Sequence, residues 1–167
     1  MQDVHVPLEM MHDPQGKDNP LHSRDPQRSP MQWNNEDSAG FCAPGVVPWL
    51  PLAEDYQQCN VEVEQKEEHS HLLAVRTLLS LRRSIPALNI GTYESIELNS
   101  KECFGYVREH EGKRYLIVLN FSDQEQSLSL PFKEGVVVFS THLNHTGSIE
   151  LADFVLPGNE GYVFEIV

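Results

Sequence analysis

The part of the chain that follows Asn89 consists of short apolar segments separated by turn residues at close intervals. Such segments are typical of antiparallel strands, because alternate side chains face opposite sides of a sheet and residues such as Gly, Asn and Pro reverse the chain. The strongest single hairpin signal is Glu111-Gly112-Lys113. Seven short strands at this spacing predict a β-sandwich. They are predicted at residues 92–98, 103–109, 114–121, 126–130, 136–140, 148–151 and 161–166.

One helix is predicted before these strands, at residues 68–83. Ser70 is placed to cap its start, Arg82 and Arg83 suit the negative end of its dipole, and Pro86 stops it. A helix with so many apolar residues needs a packing partner larger than a loop. The apolar residues recur at three- and four-residue spacing: Leu72, Leu73, Val75, Leu78, Leu79 and Leu81.

Composition indicates a globular protein whose partners are not nucleic acids. The 167 residues are 40% hydrophobic, which suffices for a core, and the net charge is −13 with a pI near 4.9. Phosphate binding requires clusters of Lys and Arg, which are absent here. The first seven residues have no basic start and no apolar run, and no stretch of about 18 apolar residues occurs anywhere. We therefore expect a cytoplasmic protein with no membrane partner.

Cysteine and histidine spacing predicts neither a cofactor nor a metal site. The three cysteines, Cys42, Cys59 and Cys103, are scattered and contain no Cys-x-x-Cys pair, so reduced thiols are expected. The closest histidine pairs, 69/71 and 142/145, lack the flanking pattern of a catalytic zinc helix.

Residues 1–60 are rich in Pro, Asp, Asn and Gln and have little apolar periodicity, so they are predicted as long loop. Loops beyond about 15 residues are uncommon unless they line a functional site or belong to a larger structure. The most distinctive part is Arg24-Asp25-Pro26-Gln27-Arg28-Ser29-Pro30-Met31-Gln32-Trp33, continuing to Phe41. Its two arginines can pair with carboxylates and cover several hydroxyl groups at once. An ordinary surface loop with solvated arginines is the alternative.

This loop resembles the stretch after the eighth barrel strand in the α-glucosidase and oligo-1,6-glucosidase branch of the α-amylase superfamily, glycoside hydrolase family 13. The resemblance continues through Pro48-Trp49-Leu50-Pro51, Asn60-Val61-Glu62-Val63-Glu64-Gln65 and Leu79-Ser80-Leu81-Arg82-Arg83-Ser84-Ile85-Pro86-Ala87-Leu88. It therefore covers nearly the whole chain in the family's order.

The resemblance implies a mainly β chain with two parts. Residues 1–86 would be the end of a catalytic (β/α)8 barrel, comprising the loop after the eighth strand, the arginine loop and the last helix. Residues 87–167 would be the C-terminal antiparallel β-sandwich domain. Because the eighth strand precedes the matching segment, the helix is expected to pack on the C-terminal sheet, to contact a neighbouring chain, or to remain partly exposed.

The resemblance also implies where chemistry takes place. Retaining glycoside hydrolysis needs two carboxylates about 5 Å apart. In the family these lie upstream, so no catalytic residue is assigned here. The resemblance does imply substrate binding by two arginines: Arg28 would pair with a pocket Asp near the non-reducing sugar, and Arg24 would lean toward the next sugar. That Asp is also expected upstream, so the loop is expected to be poorly ordered or repurposed in this chain.

The predicted function is therefore the C-terminal portion of an α-glucosidase that hydrolyses terminal α-linked glucose, inactive as an isolated chain. Its expected ligand is an α-gluco-oligosaccharide within a full enzyme, and self-association through the exposed helix face is a further expected contact. Two alternatives remain open. One is a non-catalytic carbohydrate-binding or interaction module, and the other is a fragment resembling the ectodomain of a transporter heavy chain.

Overall fold

The computed structural model describes residues 4–166 and divides the chain into two compact units, Met1–Leu72 and Leu73–Val167. This division is one of packing and falls inside a helix. The domain boundary expected after residue 86 is one of ancestry and stays a prediction.

The first unit is loop-rich, as the sequence predicts, and residues 4–72 contain no strand. Short helical turns punctuate the chain, several of them beginning at a proline, whose fixed φ suits a first helical position. Its apolar core is small: Val6, Met11 and Leu50 form one buried cluster. The two α-helices are α1 (Pro14–Asp18) and α2 (Val61–Glu64), and the 3₁₀ helices are Leu8–Met10, Pro20–His22, Pro26–Arg28 and Asp37–Gly40.

The predicted long helix is confirmed as α3, His71–Ser84, and is followed by α4, Pro86–Ile90. It begins three residues later than predicted, where the Glu64 carboxylate accepts a hydrogen bond from Leu72 N at 3.1 Å and Ser70 Oγ donates to the Glu64 carbonyl at 2.6 Å. No residue of α3 is fully buried.

The apolar face of α3 packs partly on the sheet and remains partly exposed, which are the two outcomes expected within this chain. Ala74 and Leu81 pack against the sheet of the second unit. Val75 and Leu79, by contrast, are each about half exposed. Self-association through this exposed face stays a prediction.

The second unit holds eight strands within residues 73–166, and these include all seven predicted ones. The eighth, β7, is a continuous apolar triplet without the alternation that indicates β4 at residues 126–130. The other seven strands begin and end within a few residues of their predicted bounds. The strands are β1 (Thr92–Ile96), β2 (Cys103–His110), β3 (Lys113–Asn120), β4 (Gln126–Leu128), β5 (Glu134–Ser140), β6 (Gly147–Glu150), β7 (Phe154–Leu156) and β8 (Gly161–Ile166).

The strands form two antiparallel sheets, so the predicted mainly β fold is confirmed. Six strands pair in the order β1-β2-β3-β8-β5-β6, and β4 pairs with β7. Alternation on β3 separates the two faces: Leu116 and Val118 join the core shared with β4 and β7, whereas Tyr115 and Ile117 join the cluster with α3 and α4. The large sheet is therefore covered on both faces.

The predicted hairpin at Glu111-Gly112 joins β2 to β3. Both residues have positive φ, 51° and 77°, the conformation of the two-residue turn that matches strand twist. Among the described residues, no helix is long and apolar enough to cross a membrane.

Candidate functional site

The arginine loop is organised around a buried carboxylate, Asp13. This aspartate precedes Pro14 and caps α1 by accepting from Gln15 N at 3.2 Å. Its Oδ2 also accepts from Arg24 N and Arg24 Nε, both at 2.8 Å, while its Oδ1 accepts from Arg24 Nη2 at 2.9 Å. The pair is thus bidentate, the geometry in which a guanidinium holds a carboxylate most firmly.

A second buried carboxylate, Asp25, supports the first. Its Oδ2 accepts from His12 N at 2.7 Å and from Asp13 N at 2.8 Å. Arg28 Nη1 lies 3.5 Å from Asp25 Oδ1, and that oxygen is buried with no hydrogen bond. Two arginines and two aspartates therefore balance in charge, but only the Asp13–Arg24 pair is tight.

Both carboxylates are held ionised. The side-chain hydrogen bonds from Arg24 are the largest cause that places the pKa of Asp13 well below its ordinary value. The backbone N–H of Asp13 is the largest cause that lowers the pKa of Asp25, followed among the lowering contributions by the N–H of His12. A carboxylate with a lowered pKa is a poor general acid near neutral pH, so these two aspartates serve to position the arginines.

The side chains of the two arginines contact buried aspartates but remain partly exposed to solvent. The side chains of Arg24 and Arg28 are 58% and 44% exposed, although their aspartate partners are fully buried. Asp13 engages two of the five N–H donors of Arg24, so the rest remain available to hydroxyl oxygens. Arg28 is held more loosely and can reorient at lower cost.

Two tryptophans with exposed faces lie in the same unit. Trp49 stacks on His12 with ring centroids 5.0 Å apart, and the backbone N–H of His12 binds Asp25. Trp33 is 51% exposed and Trp49 is 49% exposed. Exposed aromatic rings beside hydrogen-bond donors make a surface with an apolar face and polar edges.

Backbone hydrogen bonds close the end of the arginine loop. Trp33 N and Asn34 N both donate to the Ala39 carbonyl, at 2.9 and 3.3 Å. Ser38, Ala39 and Gly40 have φ values of 55°, 52° and 66°, a left-handed turn that costs free energy at the two non-glycine residues.

The structure brings the two predicted arginines into one network but corrects the expectation for their partners. Arg28 pairs with Asp25 of this same chain, and Arg24 pairs with Asp13. Each arginine therefore has a carboxylate partner within this chain, which was not expected, while the pairing of Arg28 with an upstream pocket Asp stays a prediction. Sequence reasoning missed both aspartates, although each precedes a proline at the start of a helical turn, a typical capping position.

Comparison with known proteins identifies the family. The model described as alpha amylase, catalytic domain, matches residues 1–91, more than half of the chain. The chain belongs to the α-amylase family. A second model, described as maltogenic amylase, C-terminal domain, matches residues 93–146 of this α-amylase family member.

Several proteins are similar to this α-amylase family member. A trehalose-6-phosphate hydrolase of Escherichia coli K12 is 38% identical over 62% of the chain and 18% of the relative. An alpha-glucosidase of Saccharomyces cerevisiae is 35% identical over 86% of the chain and 25% of the relative. The crystal structure of isomaltulose synthase from Klebsiella sp. LX3 superposes with a TM-score of 0.76 at 29% identity, covering 87% of this chain and 26% of that one.

These comparisons confirm the predicted resemblance, since relatives named alpha-glucosidase and oligo-1,6-glucosidase both match. The chain spans at most about a quarter of the length of these curated relatives.

Proposed function

We propose that this chain is the C-terminal portion of an α-glucosidase that removes terminal α-linked glucose from oligosaccharides, and that Arg24 and Arg28 bind the sugar. The bidentate Asp13–Arg24 pair carries the proposal. A buried carboxylate fixes one edge of the guanidinium, and more than half of the Arg24 side chain stays exposed. Such a preorganised donor gains affinity because little side-chain entropy remains to be lost.

Arg28 complements this role because its 3.5 Å approach to Asp25 leaves it loosely held. In the proposed site Arg24 is the fixed contact and Arg28 the adjustable one, which reaches the terminal glucose. Neither arginine takes part in bond cleavage.

A first experiment uses the chain alone. We expect no hydrolysis of p-nitrophenyl α-glucoside or isomaltose, because Asp13 and Asp25 are committed to hydrogen bonds. Turnover that persists through purification and is abolished by changing a carboxylate within this chain would contradict the proposal.

A second experiment replaces the matching segment of the S. cerevisiae alpha-glucosidase with this chain. We expect the folded chimera to hydrolyse p-nitrophenyl α-glucoside. The Arg28→Gln and Arg24→Gln substitutions should each lower kcat/KM about ten- to a hundredfold, the range for lost hydrogen bonds to a charged group. Arg83→Gln, outside the arginine loop, is the matched control. Equal activity in all three variants would remove the arginines from sugar binding.

The two half-exposed tryptophans favour a second candidate, a carbohydrate-binding module. Titrating the chain with maltose and isomaltose while following tryptophan fluorescence distinguishes the two. Both tryptophans lie in the first unit, so saturable quenching would support the module. No change in fluorescence would favour the enzyme portion. A cytoplasmic location stays a prediction.

A further inference from the structure

A cavity of about 410 Å³ lies in the second unit between α3 and one face of the large sheet. Its volume falls within the range of about 300–1,000 Å³ that is usual for small-molecule sites. Leu88, Ile117, Phe139 and Val163 contribute apolar walls. The pocket is therefore suited to a ligand with an apolar part.

Two arginines, Arg82 of α3 and Arg108 of β2, also line this cavity, and its lining contains no Asp or Glu. The chain as a whole carries a net charge of −13, whereas the charged residues that line this cavity are both positive. Among residues 4–166, neither guanidinium lies within ion-pair distance of a carboxylate. Arg82 is exposed and Arg108 is partly buried, so a ligand that covered these cations would bind more tightly if it brought an anion to compensate them.

Hydrogen bonds within the chain fix the guanidinium of Arg108. Its Nη2 donates to the carbonyl oxygens of Gly91 at 2.8 Å and Asn89 at 3.4 Å, so it satisfies the end of α4 and is fixed in orientation. Its Nε is buried and has no hydrogen-bond partner. One edge of the guanidinium is thus held by the protein and Nε is closed off from a ligand, so Nη1 is the donor of Arg108 that an anion in the cavity would meet.

We propose that this cavity binds a small amphiphilic carboxylate, with its head between Arg82 and Arg108 and its apolar stem against the sheet. A carboxylate supplies a negative charge that the lining lacks, and its two oxygens can accept from Arg108 Nη1 and from the Arg82 guanidinium. An apolar stem of several carbons buries surface against Leu88, Ile117 and Val163. No residue of the arginine loop lines this cavity, and the inference does not depend on the proposed glucosidase function.

The test uses the full 167-residue chain and three probes: octanoate, octan-1-ol and acetate. Calorimetry should show saturable octanoate binding, with octan-1-ol about tenfold weaker because it lacks the charge. Acetate should bind more weakly still because it lacks the stem. In amide NMR spectra the octanoate shifts should centre on β3 and β8.

Substitutions locate the head group. Arg108→Gln should weaken octanoate binding about tenfold. Arg82→Gln, at a more exposed position, should weaken it about two- to fivefold. Arg83→Gln is the matched control, since this neighbouring exposed residue does not line the cavity. Arg82→Gln also keeps the test decisive if Arg108→Gln destabilises α4.

Three results would overturn the proposal. Equal affinity for octan-1-ol would show a merely apolar cavity. Equal affinity for acetate would show a simple anion site. An octanoate affinity that is absent, or unchanged in both Arg82→Gln and Arg108→Gln, would show that the arginines do not hold the head group.

Discussion

The two compact units differ in the balance of polar and apolar side chains that they bury. In the first, Asp13, Asp25 and Gln32 are almost completely buried, and the apolar cluster has only three fully buried members. In the second, a cluster of twelve buried residues, among them Phe164, fills the space between the two sheets. The first unit therefore depends on charges that must find specific partners, whereas the second depends on apolar volume, which is less selective about partners.

The difference in buried side chains affects which surfaces each unit offers to a ligand. Buried aspartates that fix exposed arginines give the first unit a preorganised polar surface at the cost of a small core. In the second unit the two cations that line the cavity, Arg82 and Arg108, have no carboxylate within ion-pair distance among residues 4–166, and the cavity walls are mainly apolar. The predictions that follow test whether charge and volume are divided between the units in this way.

The largest effect is expected from Phe164→Ala. This ring is fully buried, stacks on Tyr162 at 5.2 Å and meets Phe154 edge-on at 5.4 Å. Its loss should lower the free energy of unfolding by about 3–5 kcal/mol, because a cavity remains. Urea unfolding followed by circular dichroism measures this. Phe121→Ala, at a ring 71% exposed, is the control and should change stability by less than about 0.5 kcal/mol. Equal effects would contradict the volume-based account.

Acid should act selectively on the first unit. The pKa of Asp13 and that of Asp25 are both lowered in the folded protein. Their contribution to stability is therefore complete above the ordinary value of 3.8 and is lost as pH falls through the lower folded values. Fluorescence reports this region, since Trp33 and Trp49 both lie in it. We expect it to change below pH 3.8 while methyl NMR signals of the sheet core persist. Earlier loss of the methyl signals would break the comparison.

A smaller effect is expected from Asp13→Asn, which keeps the side-chain shape and an oxygen for Gln15 N but removes the charge that binds Arg24. The amide of Arg24 should exchange with solvent about tenfold faster, in line with the loss of charge-assisted hydrogen bonds. Hydrogen exchange read by NMR measures this. Asp18→Asn, at the exposed end of α1, is the matched control. Unchanged exchange in Asp13→Asn would show that packing alone holds the loop.

Two glycines with positive φ test backbone strain, which should cost less than the core cavity left by Phe164→Ala. At Gly112 an added Cβ meets nothing within 4 Å, so Gly112→Ala should cost about 1 kcal/mol from backbone strain alone. At Gly40 the Cβ would lie 2.7 Å from Asn34 Oδ1, and we expect Gly40→Ala to cost about 2 kcal/mol. Thermal unfolding of both variants decides this, and a larger loss at Gly112 would contradict the closed conformation of the arginine loop.

Much of the second unit was predictable because its signals are local. Alternating apolar residues and a Glu111-Gly112 turn specify strands and their reversal without reference to distant residues. The α3 start was harder to predict, since Glu64, eight residues before Leu72, supplies an acceptor there. Strand β7 was not predicted because its three apolar residues do not alternate with polar ones.

The sequence by itself determined seven strands, the long helix, the arginine loop and the family to which they point, because each is encoded by residue patterns that are local in the chain. Only the tertiary structure decided which partners the charges have. Asp13 meets Arg24 across eleven positions, and Arg108 meets Gly91 across seventeen. Such pairs depend on the path of the backbone between them, and a chain with 25 acidic and 12 basic residues offers many alternatives that sequence spacing does not distinguish.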